Sequence, residues 1–186
     1  MDDRRPRHFV VMVGSLRKAS YNAAIARALP GLAPAGVSIA LMPSIGEFPL
    51  YNADLQAEGF PPIVTTSADA IRAADGVIIV TPEYNHTIPG GLKNAIDWIS
   101  RLPNQPFAAK PIALITASPS LFGGLRAQLH LRGMFVYLDG RVLNKPEVII
   151  PQVNQKVDAA TGTITDETTR GFLVDQLKAL AAAAQR

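Results

Sequence analysis

The stretch Val13-Gly14-Ser15-Leu16-Arg17-Lys18-Ala19-Ser20-Tyr21-Asn22 decides how the rest of the chain is read. Ahead of it, His8 to Val13 is the β-branched apolar run that a buried parallel strand requires. After it, Asn22 to Leu29 is alanine-rich with apolar residues at helical spacing. The stretch is therefore a turn from the carboxyl end of a strand into the amino end of a helix. Unpaired N–H groups and the positive end of the helix dipole make such a turn favourable for an anion. Ser15 and Ser20 add hydroxyls, Asn22 an amide, and Arg17 a planar fork able to meet two phosphate oxygens. The dinucleotide fingerprint G-x-G-x-x-G brings backbone against an internal pyrophosphate, whereas here only Gly14 is glycine. A loop lined by side chains suits a terminal phosphate monoester better. The plainer alternative is a polar turn with Ser20 or Asn22 as helix N-cap.

Outward from this turn, apolar runs alternate with helical patterns. Strands are expected near Phe9 to Val13, Val37 to Leu41, Gly76 to Thr81, Ile112 to Ala117 and, broken, Arg141 to Ile150. Helices are expected near Asn22 to Leu29, Val64 to Ala74, Gly90 to Arg101, Gly124 to Leu138 and Glu167 to Ala184, the last with Asp166 as N-cap. This order predicts an α/β fold, a doubly wound five-stranded parallel sheet with helices on both faces. Pro43 to Pro62 reads as a long irregular connection rich in Pro and Gly, a candidate cover for a ligand site. Val153 to Thr165, containing Asp158-Ala159-Ala160-Thr161-Gly162, reads as a surface hairpin.

With 186 residues and 48% hydrophobic content, the expectation is one domain over residues 8–186, behind a disordered basic tail over residues 1–7 carrying Arg4, Arg5 and Arg7. The sequence holds neither an apolar run able to span a bilayer nor a signal-peptide core at its N-terminus, so a cytoplasmic location and no membrane partner are expected. The absence of cysteine excludes disulfides, thiolate metal sites, iron–sulfur clusters and a cysteine nucleophile, so redox chemistry must reside in a bound cofactor. His8, His86 and His130 are scattered without ligand spacing, and no metal site is expected. A net charge of +3 without basic patches interleaved with aromatics argues against nucleic acid.

In open parallel sheets the ligand sits outside the carboxyl ends of the strands, where strand order reverses. The loop after the third strand is Thr81-Pro82-Glu83-Tyr84-Asn85-His86-Thr87-Ile88-Pro89-Gly90-Gly91, stiffened by two prolines and ending in two glycines. It is built to hold a shape and to grip the edge of a flat heterocycle by its main chain, or else it is simply a stiff turn into a helix. After the fourth strand, Ser118-Pro119-Ser120-Leu121-Phe122-Gly123-Gly124 again leads into a helix. Three such loops after adjacent strands make a composite site.

Gly14-Ser15-Leu16-Arg17-x-x-Ser20-x-Asn22, Pro82-Glu83-Tyr84-Asn85 and Pro89-Gly90-x-Leu92-Lys93-Asn94-Ala95-Ile96-Asp97-Trp98 together resemble the NADPH-dependent FMN reductase family, in particular its bacterial quinone and chromate reductase branch. The similarity extends through His130-Leu131-Arg132 and Asn144-Lys145-Pro146-Glu147. The resemblance implies a flavodoxin-like fold, bound FMN, and two-electron transfer from NADH or NADPH to a small-molecule acceptor such as a quinone or chromate. It implies that Ser15, Arg17, Ser20 and Asn22 hold the phosphate, that Pro82, Glu83, Tyr84 and Asn85 line the isoalloxazine, and that Ser118 borders the flavin. It also implies a homodimer or homotetramer. His86 stands where relatives usually carry an aromatic, Leu129 where many carry tyrosine, and Pro119-Ser120-Leu121-Phe122 is bulkier than a small Gly-rich loop.

The expected mechanism is ping-pong, with hydride passing through flavin N5 and no side-chain catalyst demanded. Backbone donors from Glu83 to Asn85 would stabilise charge on the reduced ring. Arg101 either attracts a nicotinamide phosphate or anionic acceptor or complements its helix dipole, and Tyr51 is a second candidate for the acceptor pocket. Rival readings are an electron-carrier flavodoxin, an azo or free-flavin reductase, a quinone reductase of the tryptophan-repressor-binding type, and a signalling receiver domain. The third needs a Thr- and Gly-rich first loop and the fourth an acidic cluster where Gly14 and Ser15 stand.

Overall fold

A computed structural model describes residues 5–184. β1 (Arg7–Val13) leads into α1 (Tyr21–Leu32) and returns as β2 (Val37–Leu41). Next come α2 (Ala53–Glu58), α3 (Pro62–Ala73), β3 (Gly76–Thr81) and α4 (Gly90–Ser100). β4 (Pro111–Ser118), α5 (Leu125–Tyr137), β5 (Arg141–Val142), β6 (Val148–Pro151) and α6 (Glu167–Ala183) complete the chain. All strand pairs are parallel and the order is β2-β1-β3-β4-β5, with β6 also on β4. This is a flavodoxin-like doubly wound sheet, and the strand order reverses at β1, beside β3.

The fifth position is broken, as its sequence predicts. Ile112 of β4 faces Val142, Ile115 faces Val148, and the residues between have no strand partner there. A buried amide compensates, since Gln176 of α6 donates to the carbonyls of Leu114 (3.0 Å) and Pro146 (3.1 Å).

Continuous apolar strands are needed because both sheet faces are covered. Val10, Met12, Val77, Ile79, Ile112 and Leu114 point to α3, α4 and α5, where they meet Ile71, Trp98, Leu131 and Phe135. Phe9, Val11, Ile78, Val80, Ala113 and Ile115 point to α1 and α6, where they meet Ile25, Leu29, Leu173 and Leu177. Each such large side chain contributes about 1.5–3 kcal/mol by leaving water.

Two expectations change. β1 begins inside the segment expected to be a disordered tail, since Arg7 is its first residue. Arg5 and Arg7 pair with Asp75, whose carboxylate also accepts the His8 N–H at 2.9 Å. The remainder of that expected tail, residues 1–4, lies outside the described residues. The Pro43 to Pro62 connection is also less irregular than its composition implies. It holds a 3-10 turn at Ile45–Glu47 and all of α2, and it is strapped to α4. Asn94 donates to the Pro49 carbonyl (2.8 Å) and accepts the Tyr51 N–H (2.8 Å), and Trp98 Nε1 donates to the same carbonyl (2.8 Å). The predicted hairpin near residue 160 is present as an antiparallel bridge between Val157 and Ile164.

Candidate functional site

The turn after β1 is open in a specific sense. The Gly14 N–H closes the sheet on the Val80 carbonyl (2.8 Å), and the Ala24 N–H begins the helix on the Ser20 carbonyl (2.9 Å). Between them, among the described residues, only the Ala23 N–H has a protein acceptor, the Ser20 hydroxyl at 3.2 Å. The N–H groups from Ser15 to Asn22 are thus left without one, at the amino end of a twelve-residue helix. Gly14 is required for this geometry, since a Cβ there would lie 2.6 Å from Thr81 Cβ at the end of β3.

The side chains of this turn divide differently from expectation. Ser20 is the N-cap, so its oxygen is engaged within the helix and only its hydroxyl hydrogen is uncommitted. Asn22 is buried and donates to the Ala117 carbonyl at the end of β4 (3.0 Å), while its Oδ1 has no partner. One N–H of the amide is spent on β4, and its second N–H and its Oδ1 have no protein partner among the described residues. Ser15 lies on the turn without a side-chain partner among the described residues. Arg17 is exposed, donates one N–H to the Ala19 carbonyl (2.7 Å) and lies 6.0 Å from the Tyr21 ring centroid.

The turn after β3 contrasts with it. Tyr84 and Thr87 exchange backbone hydrogen bonds of 2.9 and 3.0 Å, closing a tight turn whose central residues Asn85 and His86 have φ of 49° and 63°. The Tyr84 N–H is therefore not available to a ligand, whereas those of Glu83 and Asn85 have no acceptor among the described residues. Glu83 was expected to act through its backbone, and its side chain has separate work. Its carboxylate accepts the N–H groups of Arg126 (2.9 Å) and Ala127 (3.2 Å), and Arg126 Nη1 lies 3.6 Å away. One turn further along α5, His130 Nδ1 and Thr87 Oγ1 share a 2.8 Å hydrogen bond.

After β4, Ser118 closes a small turn by accepting the Ser120 N–H at 3.2 Å. Gly124 then starts α5 in the left-handed region, φ 92°, packed so that a Cβ would meet Thr116 Cβ at 2.8 Å. The three turns lie at the carboxyl ends of the adjacent strands β1, β3 and β4. Their rim is apolar and open, with Leu16 59%, Tyr84 49%, Leu121 75% and Phe122 55% exposed.

Arg101 and Tyr51 are placed together. The Arg101 guanidinium lies 5.2 Å from the Tyr51 ring centroid, and that ring packs edge-on against Trp98 at 5.0 Å. Arg101 follows the last residue of α4, a helix length of roughly 15 Å from the turn that opens it. Arg101 also lines a cavity of about 630 Å³ beside α4. Sequence reasoning missed Arg126 and Thr87, because their partners lie 43 residues away. One signal was available: Gly123-Gly124 precedes α5 with no Ser, Thr, Asp or Asn to cap it, so the cap must come from another segment.

An open anion-ready turn and a stiff second turn at the switch point define a flavodoxin-like protein with a site for a phosphorylated planar ligand. The chain belongs to the NADPH-dependent FMN reductase family, whose model matches residues 8–155. It is 52% identical over 178 residues to a quinone reductase of Escherichia coli strain K12, covering 95% of each chain. An NAD(P)H-dependent FMN reductase of Pseudomonas aeruginosa is 50% identical over 167 residues, covering 90% of this chain and 89% of that one. Among solved structures, a flavoenzyme NAD(P)H:(acceptor) oxidoreductase from Paracoccus denitrificans matches with a TM-score of 0.86 at 36% identity, covering 96% and 97%.

Proposed function

We propose that the protein is an FMN-dependent NAD(P)H:quinone oxidoreductase. The observation that carries this is the run of unpartnered N–H groups from Ser15 to Asn22 at the amino end of α1, which fits a terminal phosphate dianion. Bound there, FMN supplies the redox chemistry, taking two electrons from NADPH or NADH and giving them to the acceptor. The protein's part is to hold and orient it. Ser15, Arg17 and the Ser20 hydroxyl hydrogen, with the backbone of the first turn, hold the phosphate. Asn22 braces this turn against β4 with one N–H and keeps the other for the phosphate. Pro82 to Asn85 form the ring wall, with the Glu83 and Asn85 N–H groups free to donate to ring oxygens, and Ser118 closes the third side.

NAD(P)H and the acceptor use the remaining open face in turn, a ping-pong order. The exposed Leu16, Tyr84, Leu121 and Phe122 at the mouth favour a flat apolar acceptor, a quinone, over a hydrated oxyanion such as chromate. Reduced nicotinamide as donor fits a cytoplasmic setting. No helix among the described residues is long and apolar enough to cross a membrane.

The proposal extends to self-association. Cavities of about 630 and 620 Å³ share Lys93 and Met134, forming one groove between α4 and α5. Exposed Leu129, Val136 and Tyr137 lie along α5 beside it. A second copy covering this face would give the dimer that the family resemblance implies.

Purified protein incubated with FMN is expected to turn yellow and to oxidise NAD(P)H when a benzoquinone is added. Protein that stays colourless in excess FMN would overturn the reading. Tyr137→Asp is expected to shift the oligomer toward monomer in light scattering without loss of FMN.

A further inference from the structure

Helix α5 starts without a cap of its own. Gly124 stands at its N-cap position with no side chain to accept from the first turn. Glu83 supplies that cap from the turn after β3, taking the N–H groups of Arg126 and Ala127 on Oε2 and facing the Arg126 guanidinium with Oε1. Its side chain is only 12% exposed, so the pair and the helix end satisfy a carboxylate largely withdrawn from water. Arg126 in turn lies 4.7 Å from the Phe122 ring centroid, on the turn after β4. The second tether, between Thr87 and His130, falls on the same helix one turn later.

The geometry points to Glu83 as a positioning residue: its side chain clamps the ring-wall turn to α5 and so fixes where the Glu83 and Asn85 backbone donors stand, while touching no ligand itself. This rests on the FMN reading above and goes beyond it. Such a charged residue in a cofactor loop would otherwise be taken for a ligand or an acid–base group. Both oxygens of this carboxylate are instead turned to α5. The clamp also couples the ring wall to the Phe122 rim, because Arg126 is held between Glu83 and the Phe122 ring.

The test separates ring from phosphate by comparing FMN with riboflavin, which lacks the phosphate, on apoprotein of the wild type, Glu83→Ala, Glu83→Gln and Thr87→Val. Glu83→Ala is expected to raise both dissociation constants by the same factor, roughly tenfold or more, leaving the ratio of the two unchanged. Glu83→Gln retains an acceptor for the helix end and is expected to recover part of that loss. It also removes a negative charge near the ring, so the midpoint potential of the bound flavin should become less negative. Thr87→Val is expected to weaken both ligands a few-fold. Should Glu83→Ala not fold, the Gln and Val variants carry the same comparison.

Unchanged affinities for both ligands together with an unchanged potential would overturn the inference, even if thermal stability fell, because the clamp would then be structural only. So would a change in the FMN to riboflavin ratio, which would place the effect at the phosphate. Wild-type protein that bound neither ligand would overturn the FMN reading itself and this inference with it, an outcome distinct from the other two.

Discussion

The turns after β1 and β3 occupy equivalent places in the fold and solve opposite problems. From Ser15 to Asn22 the backbone donors have no protein acceptors among the described residues; the Ala23 N–H bond to the Ser20 hydroxyl secures the helix, and the Arg17 guanidinium bond to the Ala19 carbonyl uses no backbone donor. From Glu83 to Thr87 the main chain closes on itself and the side chains fasten it to α5. An anion with several oxygens rewards many free donors, whereas a rigid ring needs a few donors at fixed points. On the proposed reading, openness in one turn and rigidity in the other each match the requirement of one end of FMN.

The largest way to break this contrast is Arg17→Ala. Loss of a charge-assisted phosphate contact is expected to weaken FMN by about 1.5–3 kcal/mol, roughly ten- to hundredfold, while riboflavin affinity stays level. Equal losses for both ligands in a titration would erase the distinction between the turns. Gly14→Ala comes next. Its Cβ would be driven into Thr81, and denaturant unfolding is expected to show a loss of about 1–3 kcal/mol, with FMN weakened as the turn shifts.

Asn85→Ala tests the rigid side. At φ 49° asparagine is tolerated better than alanine because its short polar side chain can hydrogen-bond locally, so a loss of about 1 kcal/mol is expected, and Asn85→Gly, with no Cβ, should be better tolerated in the same melt. If alanine and glycine behaved alike, the left-handed turn would not be what holds this loop.

The smallest effect lies away from both turns. Burial opposes ionisation of Asp75, but the His8 N–H and the Arg5 and Arg7 guanidinium groups outweigh it and hold the carboxyl below the usual carboxylate range. Its folded pKa is therefore lower than its unfolded one. The stability that it contributes is complete above the unfolded value of about 4 and is lost as pH falls through the folded value. Asp75→Asn is expected to flatten the acid limb of a plot of Tm against pH while FMN affinity at pH 7 is unchanged. An unaltered acid limb would remove Asp75 from the account.

The layered fold was legible because buried parallel strands need unbroken apolar runs, and Val77-Ile78-Ile79-Val80 or Val148-Ile149-Ile150 can be little else. Even the broken fifth position was visible in Arg141 to Ile150. The first turn was legible as well, since its donors are local and consecutive. Side-chain partners were less legible. The Asn22 amide, for instance, spends one N–H on the Ala117 carbonyl across the strand ends, a contact 95 residues away in sequence. That Arg101 lies over the Tyr51 ring, itself packed edge-on against Trp98, is equally invisible in the sequence.

By itself, then, the sequence determined which segments become strand and helix, where they turn, and that the first turn is rich in anion-binding groups. These follow from neighbours within a few residues, through periodicity, capping and φ preference. Only the tertiary structure decided which donors remain free, that Glu83 caps a helix 43 residues away, and which side of α4 holds Tyr51. Those outcomes depend on which polar groups meet once the sheet is assembled. A buried hydrogen bond is made with whatever partner the packing brings within 3 Å or so, and no local pattern names that partner in advance.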